Sequence, residues 1–271
     1  MIKLSIITIN YNNKKGLAKT IESIQSQTYK EFEYIVIDGG STDGSKELIE
    51  MTSIIDYWVS EKDSGVYNAL NKGIKAANGR YVIFMNSGDF FYHNHLIGNI
   101  ASNFDGEISV LYGNSIYFKD NGFQKEEVFP DELSFSFFYK SGINHQASFI
   151  KRELFLKYFM YNEDYKIFAD WEFFVYIICA KNESYLHLNQ IICYYDFTGM
   201  SSNTNTYRQY SYEKSLTIEK YFPLFKNDYC LIDEFQHKRM LDLVYIKKFK
   251  FPWFILKSVS KIILLFLPKK R

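Results

Sequence analysis

Short apolar runs alternate along the first 85 residues with stretches in which apolar residues recur at helical spacing. The runs at 4–9 (LSIITI) and 34–38 (YIVID) are rich in β-branched residues and have the length of buried strands. Between them Leu17, Ile21 and Ile24 fall on one face of a helix, because they are four and three residues apart. The pattern predicts a β-α-β unit at the start of the chain.

The same alternation continues beyond residue 40. It predicts a helix after the cap candidates Ser41, Thr42 and Asp43, a strand at 57–60, a helix at 65–78 and a strand at 80–85. Strands that alternate with helices at this spacing form a doubly wound, mostly parallel sheet with helices on both faces. Beyond residue 105 the pattern loosens into strand-like pieces and one helix-like piece, 169–182. We expect one α/β domain over 1–202 and a helical extension over 203–271.

Polar residues stand at or just after the predicted strand ends. In a parallel sheet these ends share one edge, and ligands bind there. The residues concerned are Thr8, Asn10, Tyr11, Asp38, Asp63 and the turn from Asn86 to Asp89. Polar residues follow strands in most proteins, but three separate strand exits that each supply an aspartate favour a binding site over ordinary turns.

Charge is divided unevenly along the chain. Residues 247–271 carry seven lysines, one arginine and no acid, which is +8, whereas the whole chain carries +1, so residues 1–246 sum to −7. This mildly acidic body argues against nucleic acid as a partner, because nucleic-acid-binding domains spread basic residues over a folded face. Cys179, Cys193 and Cys230 show neither paired nor metal-ligand spacing, and the N-terminus has no signal-peptide pattern, so we expect a cytoplasmic protein.

The segment after the first strand, TINYNNKKG, disfavours several nucleotide-binding folds. It lacks the G-x-G-x-x-G of dinucleotide-binding enzymes, the Walker A motif and the acidic pair of a receiver domain. A nucleotidyl or phosphosugar transferase on a related sheet needs a glycine-rich basic loop at this place, and that loop is also absent.

Two long segments resemble the family 2 glycosyltransferases, because several of that family's spaced motifs occur in the same order. They are SIITINYNNKKGLAKTIESIQSQTYKEFEYIVIDGGSTDGS (5–45) and EKDSGVYNALNKGIKAANGRYVIFMNSGD (61–89), and looser similarity continues through NHQASFIKRELF, IFADWEFFVYI and YYDFTGMSS. The resemblance implies a GT-A fold with a nucleotide-sugar-binding half (1–100) and an acceptor-side half (101–202). It also implies a nucleotide-diphosphate sugar donor, typically a UDP-sugar, a divalent cation (Mn²⁺ or Mg²⁺), and inversion at the anomeric carbon.

The resemblance assigns roles to the strand-end residues. Asp38 matches the residue that hydrogen-bonds the nucleobase, and Asp89 matches the last acid of the family's metal-binding D-x-D motif. The donor-binding set that the resemblance implies is Thr8, Asn10, Tyr11, Asp38, Asp63 and Asn86.

The metal motif departs from the family pattern. Many relatives have DSDD where this chain has Asn86-Ser87-Gly88-Asp89, so one carboxylate remains for the cation. Diphosphate oxygens and waters can complete the shell of a hard cation. We therefore expect metal binding to depend on the donor.

A catalytic base is expected on the acceptor side, because glycosyl transfer requires removal of a proton from the acceptor hydroxyl. We assign this role to Asp170, at the start of a predicted helix from which its carboxylate can point into the cleft. Glu172 is the nearby rival, and an ordinary helix N-cap is the alternative role for Asp170. His145, Trp171 and Glu172 are expected on the acceptor side or in the cleft wall, although a lone histidine is often structural.

The C-terminal segment FPWFILKSVSKIILLFLPKKR (251–271) is apolar and basic. Lys257 and Lys261 interrupt it, so it lacks the roughly 20 uncharged residues of a membrane span. On a helix these lysines lie opposite an apolar side made by Leu256, Val259, Ile263, Phe266 and Leu267. The pattern favours a basic amphipathic tail, 247–271, that lies on the inner face of the cell membrane, over a helix docked on the body.

The family resemblance extends to capsule, O-antigen and exopolysaccharide transferases. Together with the tail it implies a saccharide acceptor linked to polyprenyl diphosphate. Two functions remain open: an inverting hexosyl- or hexosaminyltransferase, and a degenerate GT-A domain that binds a sugar nucleotide or serves as a scaffold subunit.

Overall fold

The computed structural model describes residues 2–198, 207–229 and 237–268. The chain divides into two compact units, Met1–Ser215 and Leu216–Arg271. The strands are β1 Leu4–Asn10, β2 Phe32–Asp38, β3 Tyr57–Ser60, β4 Tyr81–Phe84, β5 Phe90–Phe91, β6 Val110–Phe118, β7 Gln124–Glu127, β8 Ser148–Lys151 and β9 Tyr185–Asp196. The helices are α1 Lys14–Gln25, α2 Ser45–Glu50, α3 Val66–Ala76, α4 Leu96–Ile100, α5 Phe135–Lys140, α6 Glu153–Lys157, α7 Ala169–Val175, α8 Tyr207–Tyr221, α9 Lys238–Ile246 and α10 Lys250–Leu265. The domain boundary predicted at residues 202 and 203 lies outside the described residues.

The strands form one mixed sheet in the order β3-β2-β1-β4-β8-β6-β9-β5, with β7 paired to β6. Strands β3, β2, β1 and β4 pair in parallel, as the alternation of strands and helices predicts. Strand β8 pairs antiparallel with both β4 and β6, whereas β9 runs parallel to β6. The α/β class and the parallel first half are confirmed. The antiparallel pairs belong to the second half, where periodicity carries little information.

Helices pack on both faces of the parallel half, as predicted. Leu4 and Ile6 of β1 share a buried core with Leu17 of α1. Ile7 points the other way, toward α3, where a Cβ on Gly73 would lie 2.4 Å from its Cγ2 atom. Because no side chain other than hydrogen fits at that distance, Gly73 allows α3 to approach the sheet closely.

Strand β9 returns into the sheet between β6 and β5. Phe90 of β5 pairs with Tyr194 of β9, and their rings stack with centroids 4.6 Å apart. Since β5 directly follows the turn at residues 86–89, this pairing places Asp196, the last residue of β9, beside that turn.

The second unit ends in two helices, α9 and α10, which contain no buried residue within their described ranges. Large apolar side chains of α10 are exposed, among them Phe251 at 73% and Leu265 at 81%. No helix among residues 2–198, 207–229 and 237–268 is both long enough and apolar enough to span a membrane. The tail is therefore helical over 250–265, while its amphipathic role stays a prediction.

We expect Gly73→Ala to destabilise the protein, although alanine favours helix by about 1 kcal/mol. The added methyl group overlaps Ile7, and such overpacking costs about 1–3 kcal/mol, so the free energy of unfolding in urea should fall by roughly 1 kcal/mol. Gly98→Ala in α4 is the matched control, because its Cβ would meet nothing closer than 3.8 Å. A Gly73→Ala variant as stable as the Gly98→Ala variant would contradict this account of the packing.

Candidate active site

A cleft of about 1110 Å³ lies at the carboxyl ends of the parallel strands. Eight of the residues predicted from the sequence line it: Asn10, Tyr11, Asp63, Asn86, Asp89, His145, Asp170 and Trp171. Three others do not line it: Thr8, Asp38 and Glu172. A separate cavity of about 450 Å³, next to His93 and Asn189, contains none of the predicted residues.

Asp38 is fully buried behind the cleft, where the protein itself satisfies its carboxylate. Oδ1 accepts hydrogen bonds from Asn10 Nδ2 at 2.8 Å and Ser41 Oγ at 2.5 Å, and Oδ2 accepts from Ser41 N at 2.9 Å and Ser60 Oγ at 2.6 Å. Burial alone raises the pKa of Asp38, but the hydrogen bonds from Ser41, Ser60 and Asn10 outweigh it and hold the pKa below its ordinary value. Asp38 is therefore an ionised anchor that orients Asn10 and the 39–41 loop.

Thr8 is also fully buried and contacts the cleft only indirectly. Its Oγ1 donates to the carbonyl oxygen of Met85 at 2.7 Å and accepts from Tyr34 OH at 3.2 Å. It thereby ties the end of β1 to the residue that precedes the 86–89 turn. The sequence predicts Thr8 as a donor-binding residue, whereas the structure buries it beneath the cleft, which it does not line.

Tyr11 and Asp63 line the cleft on either side of Gly39. Tyr11 is 69% exposed, and a Cβ on Gly39 would lie 3.1 Å from its Cδ2 atom and 3.2 Å from Asp63 Oδ2. Gly39 thus leaves a gap between an aromatic ring and a carboxylate. Asp63 Oδ1 accepts a hydrogen bond from Lys72 at 2.7 Å, which neutralises part of its charge and leaves Oδ2 on the side of Gly39.

The 86–89 turn holds a buried acid against a second acid that sequence reasoning missed. Asp89 is 3% exposed, and its Oδ1 accepts a hydrogen bond from the backbone N–H of Asp196 at 2.8 Å. Burial, reinforced by the nearby Asp196 carboxylate, raises the pKa of Asp89 to about 8. Thr20 Oγ1 fixes the turn by donating to the carbonyl oxygen of Asp89 at 2.7 Å and accepting from Gly88 N at 3.0 Å.

Asp170 lines the same cleft, and both of its carboxylate oxygens have neighbouring polar groups. Tyr67 OH donates to Oδ1 at 3.0 Å, and His145 Nδ1 lies 3.1 Å from Oδ2 without the alignment of a hydrogen bond. His145 Nε2 in turn lies 3.3 Å from Asn86 Nδ2. The cap residue of α7 is Phe168, so Asp170 is not the N-cap, and its side chain, 24% exposed, reaches the cleft.

The wall beside Asp170 is held in place by hydrogen bonds and by ring stacking. Trp171 Nε1 donates to the carbonyl oxygens of Phe138 at 2.8 Å and Ser141 at 2.9 Å, and its ring stacks on Phe168 at 4.4 Å. Glu172 is 1% exposed and does not line the cleft, so the cleft reaches Asp170 but not the rival base that the sequence offers.

The loop that precedes α7 is held by Glu213 of α8, a residue that sequence reasoning missed. Its carboxylate accepts hydrogen bonds from the backbone N–H groups of Lys166 at 2.8 Å, Ile167 at 3.2 Å and Phe168 at 3.0 Å. A lone glutamate more than 40 residues away gives no sequence signal for this contact.

The oxygen ligands in the cleft suit a hard divalent cation only if a substrate shares it. In the described part of the chain no group of three or more His, Cys, Asp or Glu side chains could hold a metal ion. Asp89 and Asp196 nevertheless lie together, and Asn86 Oδ1 is buried without a hydrogen-bond partner. Carboxylate and amide oxygens are ligands of Mg²⁺ and Mn²⁺, so these residues fit a cation whose remaining ligands come from elsewhere.

We expect Asp89→Asn to change how stability depends on pH. The folded protein keeps a proton on Asp89 up to about pH 8, whereas the unfolded chain loses it near its ordinary value of 3.8. The stabilisation is therefore full below about pH 4 and is lost as the pH rises to about 8. In buffer without metal or nucleotide, the Tm of the wild type should fall relative to that of Asp89→Asn across this range. Asp120→Asn, an exposed change of the same charge, should track the wild type, and parallel curves for Asp89→Asn would contradict the burial argument.

Comparison with known proteins identifies the family. Residues 5–165 match Glycosyl transferase family 2. The uncharacterized glycosyltransferase Rv1514c of Mycobacterium tuberculosis is 32% identical over 212 residues, which are 74% of this chain and 77% of that protein. A PGL/p-HBAD biosynthesis glycosyltransferase of Mycobacterium bovis is 32% identical over 213 residues, 73% of this chain and 78% of that protein.

Two solved structures share the fold. TarS of S. aureus in complex with UDP-GlcNAc has a TM-score of 0.59 at 21% identity, and the match covers 71% of this chain and 58% of that one. The mannosyltransferase PcManGT of Pyrobaculum calidifontis, in complex with GDP-Man and Mn²⁺, has a TM-score of 0.60 at 15% identity, covering 97% and 80%. The family model covers more than half of the present chain, and the structure has a cleft at the ends of the parallel strands. The chain therefore belongs to glycosyltransferase family 2.

Proposed function

We propose that this protein transfers a sugar from a nucleotide diphosphate, a UDP-sugar, to a hydroxyl of a saccharide acceptor. The observation that carries the proposal is the placement of Asp170, held by Tyr67, in one cleft with the strand-end residues Asn10, Asn86 and Asp89. A base and a donor site must share one cleft if the acceptor is to attack the donor directly. The UDP-GlcNAc complex of TarS supports a donor of the same class.

The donor end suits a nucleoside diphosphate. Tyr11 offers an exposed ring against which a base can stack, and the gap at Gly39 leads from it to Asp63. Asp38 acts from behind by fixing Asn10 and the 39–41 loop. The diphosphate would then extend toward Asn86 and Asp89. These two residues would hold a divalent cation, Mn²⁺ or Mg²⁺, which would supply neutralisation of the charge that develops on the leaving group.

At the end of the cleft where the acceptor saccharide would bind, Asp170 receives the proton. The acceptor hydroxyl gives its proton to the Asp170 carboxylate, and its oxygen forms a bond to the anomeric carbon. The bond between that carbon and the diphosphate oxygen breaks, and the nucleotide leaves with the electron pair. Tyr67 fixes the carboxylate with its hydrogen bond, His145 lies beside it, and Trp171 walls the acceptor site. A single base on the acceptor side favours direct displacement with inversion.

The C-terminal helices support a place for this reaction at a membrane surface. Within 237–268 the exposed large apolar side chains are Leu241, Val244, Tyr245, Phe249, Phe251, Phe254, Ile255, Val259, Ile262, Ile263, Leu264, Leu265, Phe266 and Leu267. The tail carries +8 and no acid, so apolar insertion and attraction to anionic lipid act together. We propose peripheral binding at the cytoplasmic face of the cell membrane and an acceptor that is linked to polyprenyl diphosphate.

We expect Asp170→Asn to lower the hydrolysis of a UDP-sugar, with water as acceptor, by about 10²- to 10⁴-fold, because a general base contributes about that much. Donor binding should be unchanged, since Asn keeps the shape and accepts from Tyr67. A panel of nucleotide sugars, with and without Mn²⁺, identifies the donor by thermal stabilisation, and UDP release then measures the rate.

The matched control is Asp164→Asn, which removes an exposed charge near the same helix and should keep the wild-type rate. Full turnover by Asp170→Asn would refute the base. If the wild type binds a nucleotide sugar but never turns it over, the alternative of a sugar-nucleotide-binding or scaffold subunit is favoured.

We expect deletion of residues 247–271 to abolish binding to vesicles that contain phosphatidylglycerol. The full chain should sediment with these vesicles at least about tenfold more than with neutral vesicles, because each basic residue near an anionic surface contributes about 1 kcal/mol. Equal sedimentation of the full and shortened chains would mean that the tail is not an anchor.

A further inference from the structure

Gly88 stands where many relatives have an aspartate, and the side chain of Asp196 lies in the space that such an aspartate would occupy. Gly88 has φ +110, and a Cβ built on it would lie 2.9 Å from Asp196 Oδ2 and 3.4 Å from Asp196 Cβ. The side chain of Asp196 therefore occupies the space into which a side chain at position 88 would project. An acid at position 88 and Asp196 in its present place therefore exclude each other.

The Asp196 carboxylate is fixed with one oxygen committed and the other open. Thr198 N at 3.0 Å and Thr198 Oγ1 at 2.7 Å both donate to Oδ1. The backbone N–H of Asp196 donates to Asp89 Oδ1, which locks the two residues together. Oδ2 is left on the cleft side, next to Gly88.

The two carboxylates have no cationic side chain between them. Within residues 2–198, 207–229 and 237–268 neither Asp89 nor Asp196 forms an ion pair with Lys, Arg or His. The buried, unpartnered Asn86 Oδ1 belongs to the same turn. Three oxygen donors without a positive partner are the arrangement that a divalent cation stabilises.

We propose that Asp196 is a ligand of the divalent cation that accompanies the donor diphosphate, and that it replaces the carboxylate absent from position 88. This inference rests on the proposed function, which places the cation at Asp89. Asp196 is the last residue of β9, so the cation would have ligands from both halves of the domain.

The test measures binding of Mn²⁺ to the full chain in the presence of UDP, from the electron paramagnetic resonance signal of free Mn²⁺. Asp196→Asn and Asp89→Asn should each weaken Mn²⁺ binding by at least about tenfold. Binding of UDP without metal should be unchanged in both, which shows that the cleft is folded. Asp120→Asn, an exposed aspartate in the turn between β6 and β7, should bind Mn²⁺ as the wild type does.

The variants separate this inference from the proposed function. Loss of Mn²⁺ binding in Asp89→Asn but not in Asp196→Asn would overturn the role of Asp196 and leave the cation at Asp89. Wild-type Mn²⁺ binding in both would overturn the cation site itself. If Asp196→Asn fails to bind UDP without metal, Asp196→Ser replaces it in the same comparison.

Discussion

The insertion of β9 between β6 and β5 is the constraint on which the site depends. The parallel half of the sheet could form its strand-end edge without it, but Asp89 would then lack the neighbouring carboxylate of Asp196. Pairing of Phe90 with Tyr194 carries Asp196 to the 86–89 turn, and the hydrogen bond from Asp196 N to Asp89 completes the contact. The sheet thus brings together two carboxylates, Asp89 and Asp196, that are more than 100 residues apart in the sequence.

Asp38 and Asp89 show that burial alone does not decide the protonation state of a carboxyl group. Both lie at strand ends and both are almost inaccessible to water. Four donors surround Asp38 and keep its pKa low, so it is structural and complete. Asp89 receives fewer donors and faces a second acid, and its pKa rises to about 8. A carboxylate that the protein leaves poorly solvated is one that a ligand can stabilise.

The first half of the fold follows from local periodicity, because buried parallel strands and amphipathic helices each leave a regular pattern in the sequence. The site follows only in part. Asn10, Tyr11, Asp63 and Asp89 could be predicted because the ends of parallel strands share an edge. Thr8 could not be placed, since adjacent residues of a strand point to opposite faces and a shift of one decides between cleft and core.

Residues from the second half were harder to predict for a different reason. The register of β9 on β6 shifts twice near Asn114, so counting along the strand does not show where Asp196 ends. Tyr67 reaches Asp170 across 103 positions of sequence, and Glu213 holds the loop before α7 from a separate helix. Such contacts depend on tertiary packing and leave no periodic trace.

The close packing of α3 on the sheet at Gly73 means that this helix fixes the spacing between two contacts in the domain. Its first turn carries Tyr67, which donates a hydrogen bond to Asp170, and a later turn carries Lys72, which donates to Asp63. Each residue of an α-helix turns the chain by about 100°, so one inserted residue between these points would swing one contact out of the cleft. Insertions and deletions among homologues should therefore be absent from α3 and should occur in loops such as the hairpin between β6 and β7.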